Sequence, residues 1–591
     1  MTAGVVSSVK TVRRIADLPF LAEQSFGDRE AWRFKADGTW QSKSFVDVAE
    51  TVRELASGLV HAGLHAGDRV CVLANTRWEW LAVELAVLAA GGIVVPIYPS
   101  STPEEIAWVA GNSGASFVVC EDADQVAKVE EVRSSLPDLR LIIVIDPVGA
   151  HTSLAEVMDT GRTNPLPDEL DDRRAAIKSD DPSLIIYTSG TTGPPKGCVL
   201  TSGNWIALCR LCEEVSIEAM EGVTYLFLPL AHVFAQIVQF AAMYAGGSLA
   251  FFGGDMKAIV PELSEVRPTF LPSVPRIFEK IYTVATAGAD PAQLAGAVQL
   301  GLKVRALQAA GSPVPAELAG PFAAADAMFA RVRAIFGGQL LQAISGAAPI
   351  SKEVLEFFHA AGVPVLEGYG MTESTAIGTI NSLTNFKLGS VGTFGPAGTE
   401  VSIAEDGEIL LRGPHIMAGY WKNPEATAET IVDGWLHTGD LGEIDADRFV
   451  KITGRKKDII ITAGGKNIAP ANVENVLRQS RWISHAVLFG DRRPYVVALI
   501  TLDAEEIVPW AASRGLPTDL DVLASHPDVV ALVQSVVDEA NSHFASVSQV
   551  KKFHILGRDL SQEDGELTPT LKVKRNVVHK LHAPLYDGLY S

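Results

Sequence analysis

An apolar run from Ser183 to Tyr187 opens directly into Thr188-Ser189-Gly190-Thr191-Thr192-Gly193-Pro194-Pro195-Lys196. Open backbone N–H groups, rotatable hydroxyls and one ammonium are the donors that phosphate oxygens require. This is not a Walker A loop, since Gly197 rather than Ser or Thr follows Lys196. Further on, Glu367-Gly368-Tyr369-Gly370-Met371-Thr372-Glu373 ends a buried strand in a turn. That turn gathers an aromatic face, a hydroxyl and a carboxylate, groups that can stack a purine and hold Mg2+. The segment Ser345-Gly346-Ala347-Ala348-Pro349 ends the preceding strand, and its small residues admit a flat base close to the backbone. In Gly434-Trp435-Leu436-His437-Thr438-Gly439-Asp440 an acid sits in a turn, where its oxygens can accept from two sugar hydroxyls.

These segments need a scaffold that delivers several strand ends to one place. From Asp68 the pattern supplies it: β-rich runs (RVCVLA, IVVPIY, SFVVCE, RLIIVID) alternate with helical stretches, the alternation of a parallel sheet with helices on its faces. Thr102 and Glu105 form a capping box around Pro103. The rhythm returns between Tyr225 and Gly253 and again around Leu340 to Tyr369, so two βα layers are expected in one large domain. An Ala-rich, strand-free stretch at 281–331 reads as a helical insertion, and 398–452 as a small β-barrel or distorted sheet. A boundary is expected near Thr453, giving a large domain at 1–453 and a small mixed α+β domain at 454–591.

The 591 residues carry 49 Lys+Arg against 70 Asp+Glu, a net charge of −21. Residues 455–591 hold 16 basic and 16 acidic side chains, so the whole excess lies before them. An acidic chain of this kind repels phosphate backbones, which argues against nucleic acid as a partner. Five cysteines fit a reducing compartment, and the Cys209/Cys212 pair lacks the second pair a zinc site needs. No signal peptide is evident. The long apolar runs at 80–98 and 237–256 each break at Gly-Gly and become β-branched or aromatic, as a buried helix followed by a buried strand does. A cytoplasmic protein is expected, and its composition is compatible with a peripheral contact at the inner face of a membrane.

Taken in order along nearly the whole chain, these motifs resemble those of the adenylate-forming superfamily, which includes acyl-CoA synthetases, luciferases and nonribosomal adenylation domains. The helical insertion and the ISGAAPI and GELTPTLKVKR strings look most like its long-chain fatty acyl-CoA synthetase branch. The resemblance implies that the 188–197 loop with Lys196 handles the ATP phosphates and that Gly346 to Pro349 and Glu367 to Thr372 line adenine and the α-phosphate. It further implies that Glu373, with Thr191, binds Mg2+, and that Asp440 binds ribose with Arg455 beside it. The Gly454-Arg455-Lys456-Lys457-Asp458 junction corresponds to the family's hinge, with Gly454 where most members have Asp. Aligning the terminal Arg575 assigns the mobile catalytic lysine to Lys572, with Lys574 the alternative; Leu571 precedes it where Gly is usual. Gly464, Gly465 and Lys466 correspond to the face that meets CoA.

His232, Phe234 and Gln236 correspond to the border of the acyl pocket. Some long-chain synthetases have a gating Trp at the position of Gln236, so a Trp gate is not expected here. The implied reaction is activation of a fatty acid to acyl-AMP with release of pyrophosphate, then transfer to CoA. Alternatives are loading of a carrier-protein thiol and a non-catalytic nucleotide-binding relative.

Overall fold

Each strand between Arg69 and Val144 is followed by a segment that returns the chain to a parallel neighbour. The computed structural model describes residues 8–188, 194–394, 398–568 and 571–591. It places these strands in an eight-stranded sheet, ordered Gly419–Tyr420, Lys196–Thr201, Pro182–Thr188, Ile93–Ile97, Arg69–Leu73, Ala115–Cys120, Leu141–Val144, Thr152–Ser153. Along Arg69–Leu73 the two-residue period divides the side chains: Val70 and Val72 enter one core, Cys71 and Leu73 another. The capping box is formed, with Thr102 Oγ1 accepting from Glu105 N and the Glu105 carboxylate accepting from Thr102 N, both at 3.3 Å.

A second sheet has nine strands, ordered Thr393–Phe394, Thr379–Ile380, Val365–Tyr369, Gln342–Ser345, Phe270–Ser273, Val223–Leu226, Ser248–Phe251, Glu30–Ala36, Thr39–Ser44. The helices Trp78–Ala89 and Val233–Ala245 share one hydrophobic core with residues of both sheets. Both are buried along almost their whole length, which explains their uniformly apolar composition. Gly91 (φ +81°) and Gly246 (φ +78°) then turn the chain into strands, as the Gly-Gly breaks imply. Among the described residues no helix is long and apolar enough to cross a membrane.

Helices Pro275–Thr286, Pro291–Ala309 and Ala316–Ile335 follow the strand Phe270–Ser273. The second approaches Lys352–Ala361 so closely that a Cβ on Gly301 would lie 2.7 Å from that of Ala360. A five-stranded sheet gathers Glu400–Ile403, Glu408–Arg412, Trp435–Ile444, Ile431–Val432 and Val450–Arg455 around Ile409, Leu411, Leu436 and Val450.

The chain then forms a three-stranded sheet of Ile483–Phe489, Val496–Leu502 and Val550–Leu556, covered by helices that include Pro470–Arg478 and Pro527–Ser542. The apolar run after Asp458 yields only a two-residue strand, Ile460–Ile461, paired with Asn467–Ile468. Its neighbouring loop takes the backbone groups a longer ladder would need: Ile461 N donates to Asp491 Oδ1, and Ile461 O accepts from Arg492 N. Ion pairs join this part to the helix Pro275–Thr286, Arg276 with Asp503 and Lys280 with Glu505 (3.4 Å). All five cysteines are buried free thiols.

Candidate active site

The phosphate-type loop is the connection of an antiparallel hairpin. Pro182–Thr188 pairs with Lys196–Thr201, and Thr188 stands opposite Lys196. Ser189, Gly190, Thr191, Thr192 and Gly193 lie outside the described residues. The base of the loop is clamped by Trp108, whose indole Nε1 donates to Pro195 O at 2.9 Å. On its other side the strand Gly419–Tyr420 pairs with Lys196–Thr201, which sets Tyr420 opposite Cys198. The Tyr420 ring centroid is 5.0 Å from Lys196 Nζ, and its hydroxyl donates to Glu373 Oε1 at 2.8 Å. One aromatic side chain thus links the loop's cation to a buried carboxylate 177 residues away in sequence. Tyr420 is absent from the motif reading; Gly419-Tyr420-Trp421, an aromatic pair after a glycine, is the one local signal for it.

The strand Val365–Tyr369 runs into the turn that carries Glu373. Gly370 passes so close to the returning chain that a Cβ there would lie 1.9 Å from Ala376 O, so only glycine fits. Met371 N donates to Ser374 Oγ at 3.1 Å, closing the short helical turn Thr372–Ser374. Glu367 accepts from Gly389 N at 3.2 Å, and burial pushes its carboxyl up to about 7. Beside this strand, Gln342–Ser345 ends in Gly346, where an added Cβ would lie 3.4 Å from the Phe234 ring. Ala347 takes φ +66°, and Ala347, Ala348 and Pro349 are exposed. Gly368 pairs with Ile380 on the neighbouring strand.

Asp440, expected in a turn, lies instead within the strand Trp435–Ile444, directly opposite Arg455 of Val450–Arg455. Its Oδ2 accepts from the Tyr369 hydroxyl at 2.7 Å and its Oδ1 from Arg455 Nε at 2.9 Å. A carboxylate has about four acceptor sites, so capacity for sugar hydroxyls remains. Burial would lower Arg455, but Asp440 and Asp458 outweigh it and hold the guanidinium firmly charged. Burial and the adjacent Asp440 charge raise the Tyr369 hydroxyl well above its usual range, so it remains a donor.

Lys572 comes to the same place from the far end of the chain. Its hairpin is a short ladder: Lys574 N donates to Glu566 O (2.7 Å), Leu567 bridges Val573, and Thr568 N donates to Lys572 O (2.8 Å). Lys572 N donates to Thr568 Oγ1 at 3.0 Å, and Leu571 takes φ +58°. Lys572 keeps solvent access while protein crowds it, as a group lining a cleft does. Burial and then Arg455 lower its pKa, with Asp440 and Glu373 pulling the other way. His232 faces the same charge: burial and Lys572 lower it to about 3. Its Nδ1 accepts from Phe234 N at 3.1 Å at the start of Val233–Ala245, so the neutral ring carries its proton on Nε2. Lys574 instead opens the helix Arg575–Leu581, and Arg575 is locked to Glu474 by two hydrogen bonds of 2.6 and 2.7 Å.

Strand ends from both sheets, the small β-sheet and the C-terminal hairpin therefore converge on one cleft. The family model described as AMP-binding enzyme matches residues 21–421, and that of the AMP-binding enzyme C-terminal domain matches 457–591. The chain belongs to the AMP-binding enzyme family. The long-chain-fatty-acid–CoA ligase FadD15 of Mycobacterium tuberculosis is 38% identical over 98% of this chain and 97% of its own length. Human long-chain-fatty-acid–CoA ligase 6 is 32% identical, covering 93% and 83%. Among solved structures, the adenylation domain of a carboxylate reductase from Mycobacterium chelonae superposes with a TM-score of 0.78 at 20% identity, covering 99% and 92%. The anthranilate CoA ligase AuaEII in complex with anthranoyl-AMP gives 0.74 at 20% identity, covering 98% of each chain.

In this AMP-binding enzyme, Gly464, Gly465 and Lys466 form an exposed turn with Gly465 at φ +72°. The turn is closed by Gly465 N donating to Thr462 O (2.8 Å) and braced by Ala463 N donating to Arg493 O (2.9 Å). Those bonds stay within the C-terminal part, and the structure does not bring the turn together with Glu373 and Asp440. Gln236 is fully buried, its amide donating to Leu230 O at 2.6 Å. Gln239 Nε2 donates both to Gln236 Oε1 (3.3 Å) and to Glu84 (3.1 Å). The position is a polar lock between helices, in keeping with the missing Trp.

For Mg2+, Glu373 offers a buried carboxylate whose Oε1 is already engaged by Tyr420. No group of three or more His, Cys, Asp or Glu able to hold a metal exists among the described residues. One carboxylate fits an ion that arrives coordinated by nucleotide phosphates and keeps most of its water.

Proposed function

We propose that this enzyme activates a fatty acid with ATP and transfers the acyl group to CoA. The observation that carries the reading is the convergence of Lys572, from the C-terminal part, with Arg455, Asp440, Glu373 and His232. A fatty carboxylate is already ionised at neutral pH, so the first step needs orientation and charge neutralisation rather than a base. A carboxylate oxygen attacks the α-phosphorus of ATP, the bond from that phosphorus to the bridging oxygen breaks, and pyrophosphate leaves with the electron pair. Lys572 bridges the attacking carboxylate and the α-phosphate, where negative charge accumulates. Lys196 and the hydroxyl-rich loop hold the departing phosphates, and Asp440 holds the ribose. Glu373, with Thr191, would hold a Mg2+ ion brought with ATP, and that ion would supply charge neutralisation at the phosphate oxygens. Neutral His232 borders the carboxylate with its Nε2–H, and Phe234 lies along the acyl side.

In the second step the CoA thiolate attacks the acyl carbon, the acyl–oxygen bond breaks and AMP departs. We place the division between domains at about Thr453, with Gly454 and Arg455 as the hinge, so that 454–591 turns to withdraw Lys572 and present Gly464, Gly465 and Lys466 to the pantetheine arm. A cytoplasmic setting is part of this reading, and the absence of any disulfide among its five cysteines is compatible with it.

The test is a panel of acids from C2 to C20, with benzoate and cinnamate. Carboxylate-dependent ATP–pyrophosphate exchange and thioester formation with free CoA are followed for each. The proposal expects both activities with the longer fatty acids; exchange without thioester would redirect the second step to another thiol, and no exchange with any acid would overturn the reading.

A further inference from the structure

Lys572 must cross from the C-terminal part into a cleft built by the rest of the chain, yet its hairpin is only three rungs deep. A flexible ammonium on a thin projection is oriented only as well as the base of that projection is held. The base rung is Glu566, whose backbone carbonyl accepts from Lys574 N at 2.7 Å. The Glu566 carboxylate is completely buried and gathers donors from the connection after Val550–Leu556 and from the C-terminal helices. Arg558, just past the strand Val550–Leu556, donates from Nη1 at 2.6 Å and Nη2 at 3.0 Å. Ser561 N donates at 3.0 Å, and the His582 ring, between the two last helices, lies 2.6 Å away through Nε2. Burial alone would lift this carboxyl, but the hydrogen bonds from Arg558, His582 and Ser561 outweigh it and keep it ionised. The apolar side of the hairpin is seated by Leu567 in a small core with Leu560, Val578 and Tyr586.

We propose that Glu566 is the positioning residue of Lys572: with Arg558 and His582 it clamps the foot of the hairpin that carries the lysine into the nucleotide cleft. The inference rests on the reading of Lys572 as the lysine of the adenylation step. Thr568, the partner of Lys572, stands two residue steps beyond Glu566, a lever of about 7 Å at the usual rise of an extended chain. A tilt at the foot therefore displaces the ammonium by a comparable or larger amount, because the lysine stem adds to the lever. Neither Arg558 nor Glu566 is in hydrogen-bond contact with Lys196, Glu373 or Asp440, so a loss caused by their substitution travels through the hairpin.

The experiment uses the full-length chain with Glu566→Gln, Arg558→Ala and Arg558→Lys, alongside Lys572→Ala. Three readouts are taken for each: fatty-acid-dependent ATP–pyrophosphate exchange, thioester formation from supplied acyl-AMP and CoA, and thermal unfolding. For Glu566→Gln and Arg558→Ala, kcat of exchange is expected to fall about ten- to a hundred-fold with the KM for ATP nearly constant, the cost of misplacing a reacting group. Thioester formation from acyl-AMP is expected to stay within about two-fold, and Arg558→Lys, which keeps a charged donor, to recover most of the exchange. Arg558 is half-exposed, so its variants guard against a Glu566 variant that fails to fold. Equal losses in both half-reactions, or normal exchange in Glu566→Gln beside a damaged Lys572→Ala, would overturn the positioning role. Normal exchange in Lys572→Ala would instead overturn the functional reading on which it rests.

Discussion

The Tyr420 hydroxyl donates to Glu373 Oε1 at 2.8 Å while the same ring lies 5.0 Å from Lys196 Nζ. The residue thus couples the carboxylate assigned to Mg2+ with the cation assigned to the phosphates, and its ring and hydroxyl can be separated by mutation. Tyr420→Phe keeps the ring and leaves a buried carboxylate short of one donor, a loss of about 1.5–3 kcal/mol for a hydrogen bond to a charged group. Exchange should fall about tenfold or more, with the KM for MgATP rising. Tyr420→Ala should cost more, because the contact with Lys196 goes too. Titrating MgATP in exchange assays of both variants checks the order; a Phe variant equal to the parent would separate Tyr420 from the site.

Leu571 occupies φ +58°, a conformation that glycine adopts freely and that strains other residues. Leu571→Gly relieves about 1–2 kcal/mol of that strain and adds about 0.4–1 kcal/mol of unfolded-state entropy. Since Leu571 is largely exposed, little burial is lost. Thermal unfolding should therefore move little, with full exchange activity, whereas Leu571→Val should destabilise the hairpin and depress exchange. Equal behaviour of the two variants would contradict the conformation assigned to this residue.

Glu84 is completely buried on the helix Trp78–Ala89, bonded to Gln239, and burial raises its pKa well above the ordinary value. The folded state then keeps a proton that the unfolded chain releases near pH 4.3. The unfolded state binds fewer protons above that pH, so this residue's contribution to stability declines as pH rises toward its folded pKa. Glu84→Gln removes the titration and should flatten that decline, which makes the variant gain on the parent with increasing pH. Denaturant unfolding at a series of pH values measures it, and parallel curves would mean that Glu84 is ionised in the fold.

Much of this architecture was legible along the chain, and the illegible part has one physical cause. The capping box of Thr102 and Glu105, the helix-to-strand switches at Gly91 and Gly246 and the βα alternation are local, encoded in neighbouring residues. The loop after Thr188 and the turn before Glu373 were recognisable by residue type because each ends a strand, whereas Asp440 lies within the strand Trp435–Ile444, where the preceding Gly439 at φ +73° resembles a turn in sequence. That Tyr420 reaches Glu373 depends on one strand pairing beside Lys196–Thr201, and that Glu566 meets Arg558 and His582 depends on how three segments pack. No periodicity records such pairings. The run after Asp458 looked like a strand because apolar content does not reveal that a neighbouring loop claims its backbone groups.

Arg276 and Lys280, one turn apart on a single helix, pair with Asp503 and Glu505 at the start of Ala504–Ala512 in the C-terminal part. These contacts belong to the arrangement that holds Lys572 in the cleft and must break if the C-terminal part turns. Each exposed pair is worth about 0.2–1 kcal/mol, so Arg276→Glu with Lys280→Glu should lower exchange a few-fold and leave thioester formation from acyl-AMP unchanged or faster. Lys280→Glu combined with Glu505→Lys should behave like the parent. Half-reaction assays at low and high salt test this, and equal slowing of both halves would contradict the latch.

The most direct measurement is the pair of half-reactions in Lys572→Ala. Removing a donor that acts on transition-state charge should reduce fatty-acid-dependent ATP–pyrophosphate exchange by about a hundred-fold or more. Thioester formation from supplied acyl-AMP and CoA should remain close to that of the parent. Equal loss in both halves, or a larger loss of exchange in Lys574→Ala than in Lys572→Ala, would contradict the account.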